Sequence, residues 1–257
     1  MPRSVNVPGV IIERSMNDQF LSNAYLVGDE PGGRGVLIDS GAPPEPLLEA
    51  IEKHDLTVEH LLLTHHHGDH VENNGLFKDK LGVEILAHPI EAELLDDVDR
   101  EMRKGEDLEV GGLQIKALHT PGHAAGMLSF RINKEVVFTG DTLFKGSVGG
   151  VRAPGSTGFE DLKSSIMDTL MKLDPAVAIY PGHTDATTVG DEWERNAFIR
   201  IWRGEDEESE GRCVVWGEDA TLVLWGPDYD GGHKAWVRWD SSGKDDIVPG
   251  SQVEKEE

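Results

Sequence analysis

An α/β protein of layered architecture, with a small β-rich module at its C-terminal end, is what the sequence predicts. Three observations lead there. Short β-branched runs alternate with amphipathic helical patterns as far as Trp202, the pattern of strands covered by helices. An acidic stretch without apolar side chains, GEDEESEG from Gly204 to Gly211, then interrupts the chain. Beyond it lie four of the six tryptophans, on short runs separated by Gly/Asp/Ser turns.

In chain order, GVIIERS, NAYLVGD, GVLIDSG and HLLLTH read as strands. EPLLEAIEKHD, from Glu45, places Leu47, Leu48 and Ile51 on one helical stripe. HVENNGLFKDKLG reads as a second helix ending at Gly82, a residue suited to a left-handed C-cap. VEILAHP is a strand and IEAELLDDVD a short acidic helix. LQIKALHTPGH, GMLSFRI and EVVFTGD give three further strands. FEDLKSSIMDTLMKLD is a long helix with Leu162, Ile166, Leu170 and Leu173 on one face, VAIYPGH a strand, and DEWERNAFIRIW a closing helix. After the acidic stretch, CVVWG, ATLVLWG, KAWVRWD and DIVPGSQV read as short strands, enough for a small SH3-like barrel whose tryptophans fill its own core. The organisation expected is residues 1–203 as the main domain, 204–211 as an acidic linker and 212–257 as the β-rich module. The competing expectation is that the last strands extend the main sheet.

The chain has 257 residues, enough to bury a sizeable core. Lys and Arg number 24 against 48 Asp and Glu, a formal charge of −24. Such a field repels phosphate backbones and anionic membranes, so neither is an expected partner. Cys213 is the one cysteine, which excludes an intramolecular disulfide. The N-terminal residues have no apolar segment of signal-peptide length, and no run spans a bilayer. The expectation is a soluble cytoplasmic protein.

The stretch LLLTHHHGDH, Leu61 to His70, puts four histidines and an aspartate into six residues behind an apolar run. Side chains alternate along a strand, so His65 and His67 point one way and His66 the other. Asp69 and His70 follow at the next helix start, where they can turn back toward the strand end. Further candidates recur at apolar strand ends: His123 behind Pro121-Gly122, Asp141 behind Thr139-Gly140, and His183 behind Pro181-Gly182. Small neighbours let the backbone approach a shared centre. A nitrogen and oxygen ligand set without thiolate suits zinc, iron or manganese.

Taken together and in this order, THHHGDH, TPGH, FTGD and YPGH resemble the metallo-β-lactamase superfamily over about residues 8–202. FTGDTLFKGSVGG and YPGHTDATTVGDEWERNAF resemble the glyoxalase II (hydroxyacylglutathione hydrolase) members in particular. The resemblance implies an αββα sandwich with a dinuclear metal site at one edge of its two sheets. His65, His67 and His123 would hold one divalent metal, Asp69, His70 and His183 the second, and Asp141 would bridge them. Zinc is the first expectation, with iron or manganese as alternatives. Two such ions, about 3.5–4 Å apart, lower the pKa of a shared water. Hydroxide from it would attack the carbonyl of a thioester, with Asp69 as a proton acceptor.

Asp39, in LIDSG, resembles a carboxylate that supports the ligand loop. Lys145 and Arg152 flank GSVGGV just after Asp141 and are candidates for holding an anionic acyl-thiol through its carboxylate. His66 is expected to be a bystander, His119 a support, and His54, His60, His88 and His233 to lie outside the ligand set. A mononuclear iron oxygenase of the persulfide dioxygenase type and a lactonase are the competing activities on this fold. Phe144 stands where lactone-opening relatives often carry tyrosine. Glyoxalase II enzymes have a helical C-terminal segment that helps hold glutathione, and here tryptophan-rich strands take its place. A module of that kind binds peptides or mediates self-association in other proteins, so a homo-oligomer is among the expectations.

Overall fold

The structure is a computed structural model that describes residues 9–256. Residues 1–8 and Glu257 lie outside the described residues, and with them the first part of the N-terminal reading. In chain order the first half contains β1 (Ile11–Met16), β2 (Asn23–Gly28), β3 (Arg34–Ile38), α1 (Glu45–His54), β4 (Thr57–Leu62), α2 (Gly68–Val71), α3 (Asn74–Leu81), β5 (Glu84–Ala87), α4 (Pro89–Ala92) and β6 (Arg100–Glu101). These strands form one six-stranded sheet in sequential order, antiparallel through β1-β2-β3 and parallel through β3-β4-β5-β6.

The second sheet collects β7 (Asp107–Val110), β8 (Leu113–His119), β9 (Leu128–Ile132), β10 (Val136–Gly140), β13 (Ala178–Pro181) and β14 (Thr187–Thr188), in the order β14-β13-β10-β9-β8-β7. Between β10 and β13 the chain makes a two-stranded ribbon, β11 (Leu143–Phe144) with β12 (Ser147–Val148), and helix α5 (Phe159–Ser164). Helices α6 (Val189–Arg195) and α7 (Ala197–Trp202) close this half.

Alternation along the central strands builds the layers. Val36, Ile38, Leu62, Val136, Phe138, Ala178 and Tyr180 pack together between the two sheets. Their neighbours turn outward. Leu37, Leu61, Leu63 and Ile85 meet Leu47, Ile51 and Phe77 of the helices on one side. Val137 and Ile179 meet Phe159, Leu162, Ile166 and Phe198 on the other. Each fully buried side chain of this size stabilises by roughly 1.5–3 kcal/mol. The result is the expected αββα sandwich.

Three helices are shorter or more broken than their periodicity suggests. The segment read as one helix over 70–82 is α2 and α3, separated at Asn73, whose Nδ2 donates to the carbonyls of Ser40 and Ala42. Gly82 ends α3 at φ +69° with its N–H on the Lys78 carbonyl, the expected cap. The segment after Phe159 keeps Leu162, Ile166 and Leu170 of its apolar stripe buried and Leu173 half-buried, but a π-turn over Ser165–Thr169 and a 3-10 turn over Leu170–Lys172 replace its second half. There Ser165 Oγ donates to the Pro121 carbonyl, and Gly122 sits so close that a Cβ on it would lie 2.5 Å from Leu162 Cα. The TPGH turn presses on this helix. The closing helix breaks at the buried Asn196, whose Oδ1 caps α7 by accepting from Phe198 N–H.

The C-terminal residues form a separate antiparallel sheet: β15 (Gly211–Val215), β16 (Glu218–Pro227), β17 (His233–Trp239), β18 (Asp245–Pro249) and β19 (Val253–Lys255), in the order β18-β17-β16-β15-β19. It is not an extension of either main sheet. One face has its own core of Cys213, Val215, Leu222, Val237 and Trp239. The other face is not independent: Val223, Trp236 and Ile247 join the layer that covers the second sheet. Only part of the tryptophan expectation holds, because Trp236 faces the main body and Trp216 is 51% exposed. The acidic stretch is tied down by Arg200 to Asp206 and Arg238 to Glu208. Among the described residues no helix is long and apolar enough to cross a membrane.

Candidate metal centre

Five strand ends deliver the cluster to one edge of the sandwich. Asp39 follows β3, and His65, His67, Asp69 and His70 follow β4, with His67 at the N-cap of α2. His123 follows β8, Asp141 follows β10 and His183 follows β13. The two sheets are joined here: Asn23 N–H donates to the Gly182 carbonyl, and the Tyr25 hydroxyl to the Pro181 carbonyl at 2.7 Å.

The ligand-type atoms of His65, His67 and His123 lie within 4.8 Å of one another. Those of Asp69, His70 and His183 form a second such group, and His65, His70 and Asp141 a third that joins the two. Asp141 Oδ2 is 3.5 Å from His123 Nε2 and 3.2 Å from His183 Nε2, so its carboxylate stands between the two sets. His70 Nε2 and His183 Nε2 each lie 3.6 Å from Asp69 Oδ2. All seven sequence candidates are therefore brought together.

The outward ring nitrogens all have protein partners. His65 Nδ1 meets Thr64 Oγ1 at 3.0 Å, and His70 Nδ1 meets Asp39 Oδ2 at 2.9 Å. His123 Nδ1 faces the Gly150 carbonyl at 2.7 Å, His183 Nδ1 the Phe20 carbonyl at 3.0 Å, and His67 Nε2 the Pro154 carbonyl at 3.1 Å. Asp39 also accepts from Thr64 N–H and Thr64 Oγ1, both at 2.8 Å. Such outer partners fix which nitrogen of each ring faces inward. The inward atoms are a different matter. His65 Nε2 is buried without a hydrogen-bond partner, and His70 Nε2 and Asp141 Oδ1, which face each other at 3.3 Å, make no hydrogen bond either, although unpaired buried polar atoms are costly. Three orphaned atoms converging on one point, with their rings already oriented, fit divalent metal ions.

Electrostatics supports the same fit. Burial, followed by the neighbouring His70, holds His65 well below the ordinary histidine value. Burial takes His123 down to about 4. Both rings therefore offer lone pairs at neutral pH. Burial also opposes charge on His70, but the Asp141 and Asp39 carboxylates outweigh it and hold this ring well above the usual value. Burial opposes the Asp141 carboxylate too, yet His183 and His70 keep it ionised, well below the usual range. A divalent cation held by these residues would take the place of the proton on His70.

The glycines beside the candidates act in different places. A Cβ on Gly182 would lie 2.2 Å from Asp141 Oδ1, so glycine is required directly against the cluster. Gly140, at φ +47°, instead makes room for Thr64. His66 points away as the alternation requires, and its Nδ1 pairs with the fully buried Glu91. His119 supports no ligand: its Nε2 donates to the Ala125 carbonyl and its ring stacks on His88 at 4.7 Å.

The two candidate substrate cations part company. Lys145 is exposed on the β11–β12 turn with no ion-pair partner among the described residues. Arg152 pairs with Asp246 at 2.9 Å and lies 4.6 Å over the Trp216 ring. It pins the loop that carries Gly150 and Pro154 to the C-terminal sheet. Sequence reasoning missed these backbone carbonyls and Thr64, since a carbonyl leaves no trace in residue type. It also missed Tyr229, on the β16–β17 turn, whose ring stacks on His183 at 4.2 Å and 20°. One signal was present: a bulky aromatic in a turn otherwise built from Pro, Asp and Gly.

A four-layer αββα sandwich with a histidine and aspartate cluster at the shared edge of its sheets defines a class of metal-dependent hydrolases. The chain belongs to the metallo-beta-lactamase superfamily, whose family model matches residues 17–183. The hydroxyacylglutathione hydrolase GloC of Haemophilus influenzae is 34% identical over 200 residues, covering 70% of this chain and 93% of that protein. Among solved structures, TTHA1623 in a di-iron-bound form is 32% identical with a TM-score of 0.61, covering 72% of this chain and 98% of the other. The B3 metallo-beta-lactamase BLEG-1 is 26% identical with a TM-score of 0.69, covering 74% and 99%.

Proposed function

We propose that this protein is a dinuclear metallohydrolase that cleaves thioesters of anionic acyl-thiols, S-acylglutathiones or their like. The observation that carries the proposal is the complete double ligand set around Asp141, with orphaned atoms inside and every outer ring nitrogen held. His65, His67 and His123 would hold one ion, Asp69, His70 and His183 the other, and Asp141 both. The likeness to GloC supports the thioester as substrate. The donor set accepts zinc, iron and manganese, and the di-iron relative is one case of such occupancy.

Bound divalent ions supply polarisation of the carbonyl and a water acidic enough to attack near neutral pH. The chain's own residues do the rest. Asp39, Thr64 and the three loop carbonyls keep the rings in one orientation. The Asp69 side chain, 23% exposed, is more open than those of Asp39 and Asp141, and in this reading it would take the proton of the attacking water. Lys145, without an ion-pair partner among the described residues, would meet the substrate carboxylate, while Arg152 is held by Asp246 and Trp216. Residues 1–203 form the catalytic domain in this reading, 204–211 the linker and 212–257 the added module.

Protein purified without added metal should carry about two ions per chain and hydrolyse S-lactoylglutathione or a related thioester. A preparation with both ions that is inert on a thioester panel refutes the proposal. The oxygenase alternative makes a different prediction: one iron per chain and oxygen consumption with glutathione persulfide. The assembled second group of Asp69, His70 and His183 favours the hydrolase.

A further inference from the structure

We infer that Tyr229, carried by the C-terminal sheet, forms a wall of the substrate site and donates its hydroxyl to an oxygen of the bound acyl group. The inference rests on the hydrolase reading of the cluster and adds to it a positioning group from outside the segment that matches the family, residues 17–183.

Placement is the first argument. The Tyr229 ring stacks on His183, and Phe144 meets both rings edge-on, at 5.1 Å from Tyr229 and 5.5 Å from His183. The three rings thus pack as one cluster beside the Asp69, His70 and His183 group, with Phe144 and His183 buried and Tyr229 the half-buried member.

Rigidity is the second. The turn is anchored by Lys234, a cation only 5% exposed. Its Nζ donates to the Val148 carbonyl at 2.7 Å and pairs with Asp228 Oδ1 at 2.9 Å. It also lies 5.1 Å over the Phe144 ring and 5.4 Å over the Tyr229 ring. Asp228 in turn accepts from Tyr229 N–H at 2.8 Å. A buried cation joining a surface turn to β12 holds the phenol in one place, which is what a positioning group requires.

The unused donor is the third. A half-buried tyrosine normally gives its O–H to a partner, as Tyr25 does to the Pro181 carbonyl. The Tyr229 hydroxyl makes no hydrogen bond to the protein among the described residues. A fixed ring beside the cluster with a free O–H is suited to an acyl oxygen.

The test compares Tyr229→Phe and Tyr229→Ala with the parent, all metal-replete. Tyr229→Phe keeps the ring and removes only the donor. It should retain metal content and melting temperature while kcat/KM on S-lactoylglutathione falls about tenfold, the size of one hydrogen bond. Tyr229→Ala should lose more, with KM rising as the wall disappears. A second measurement needs no turnover: binding of acetohydroxamate, an acyl-group mimic, to the cobalt-loaded protein, followed by its visible absorption. Its Kd should weaken about tenfold in Tyr229→Phe. If both variants match the parent in kcat/KM and in hydroxamate affinity, the inference is overturned. If the metal-replete parent is inert on thioesters yet hydroxamate binding depends on Tyr229, the thioester reading fails and the role of Tyr229 stands.

Discussion

Gly182→Ala isolates the role of the cluster geometry with a single methyl group. The φ of Gly182 lies outside the left-handed region, so alanine brings no backbone strain. The added Cβ would sit 2.2 Å from Asp141 Oδ1, 2.9 Å from His70 Cε1 and 3.0 Å from the Gly140 carbonyl carbon. Ordinary contact starts at 3.4 Å, so the carboxylate oxygen has to retreat by about 1.2 Å. Metal sites tolerate ligand displacements of about 0.2 Å. In the proposed centre, a carboxylate shared by two ions could not then keep both. The expected result is loss of at least one ion per chain and about a 10²-fold fall in activity, the scale of a 1 Å misplacement. Overpacking should cost roughly 1–3 kcal/mol, which leaves the fold intact. Elemental analysis, thermal melting and thioester turnover measure the three effects. Gly150→Ala is the control, because nothing lies within 4 Å of its added Cβ. A Gly182→Ala protein with two ions and parental activity would refute the bridging position of Asp141.

Four further outcomes are expected. His67→Ala should lose metal and activity, whereas His66→Ala should keep both and lose roughly 1–3 kcal/mol, because the buried Glu91 keeps only the backbone N–H groups of His66 and Gly126 as partners; equal metal loss in the two would break the alternation argument. Chelation should abolish activity and lower the melting temperature by roughly 10 °C, since saturating metal binds only the folded chain. Arg152→Ala should lower stability by about 1 kcal/mol and loosen metal binding a few-fold through the loop that holds His123 and His67. A rise in KM alone, with melting and metal affinity unchanged, would instead return Arg152 to the substrate. Asp39→Asn should weaken metal binding about 10–100-fold by disturbing His70 and Thr64, which a competition titration would read.

The clustering of the seven candidates was legible because it depends on the two features a sequence displays best. Period-two alternation separates His65 and His67 from His66, and repeated small residues at apolar strand ends mark His123, Asp141 and His183. The layers were legible for the same reason, since Leu61 and Leu63 face one way and Leu62 the other. Helix breaks were not. Asn73 and Asn196 occupy ordinary positions in apolar periodic patterns, and the carbonyls that hold their side-chain amides, those of Ser40, Ala42 and Ser147, are distant in sequence. The partners of Arg152 were equally hidden, because Asp246 is 94 positions away.

The acidic stretch suggested a divider, yet the face of the C-terminal sheet bearing Val223, Trp236 and Ile247 shares a core with Phe159, Leu162 and Phe198. A sheet packed in this way cannot drift relative to the catalytic edge without opening apolar surface. That constraint gives the two polar links across the boundary their meaning. Lys234 fixes the Tyr229 turn against β12, and Arg152 fixes the ligand-supporting loop against Trp216 and Asp246. One link places a ring over His183 and the other steadies the carbonyls that orient His123 and His67. The added sheet therefore bears on both ligand groups at once, and its removal should disturb metal affinity and substrate affinity together.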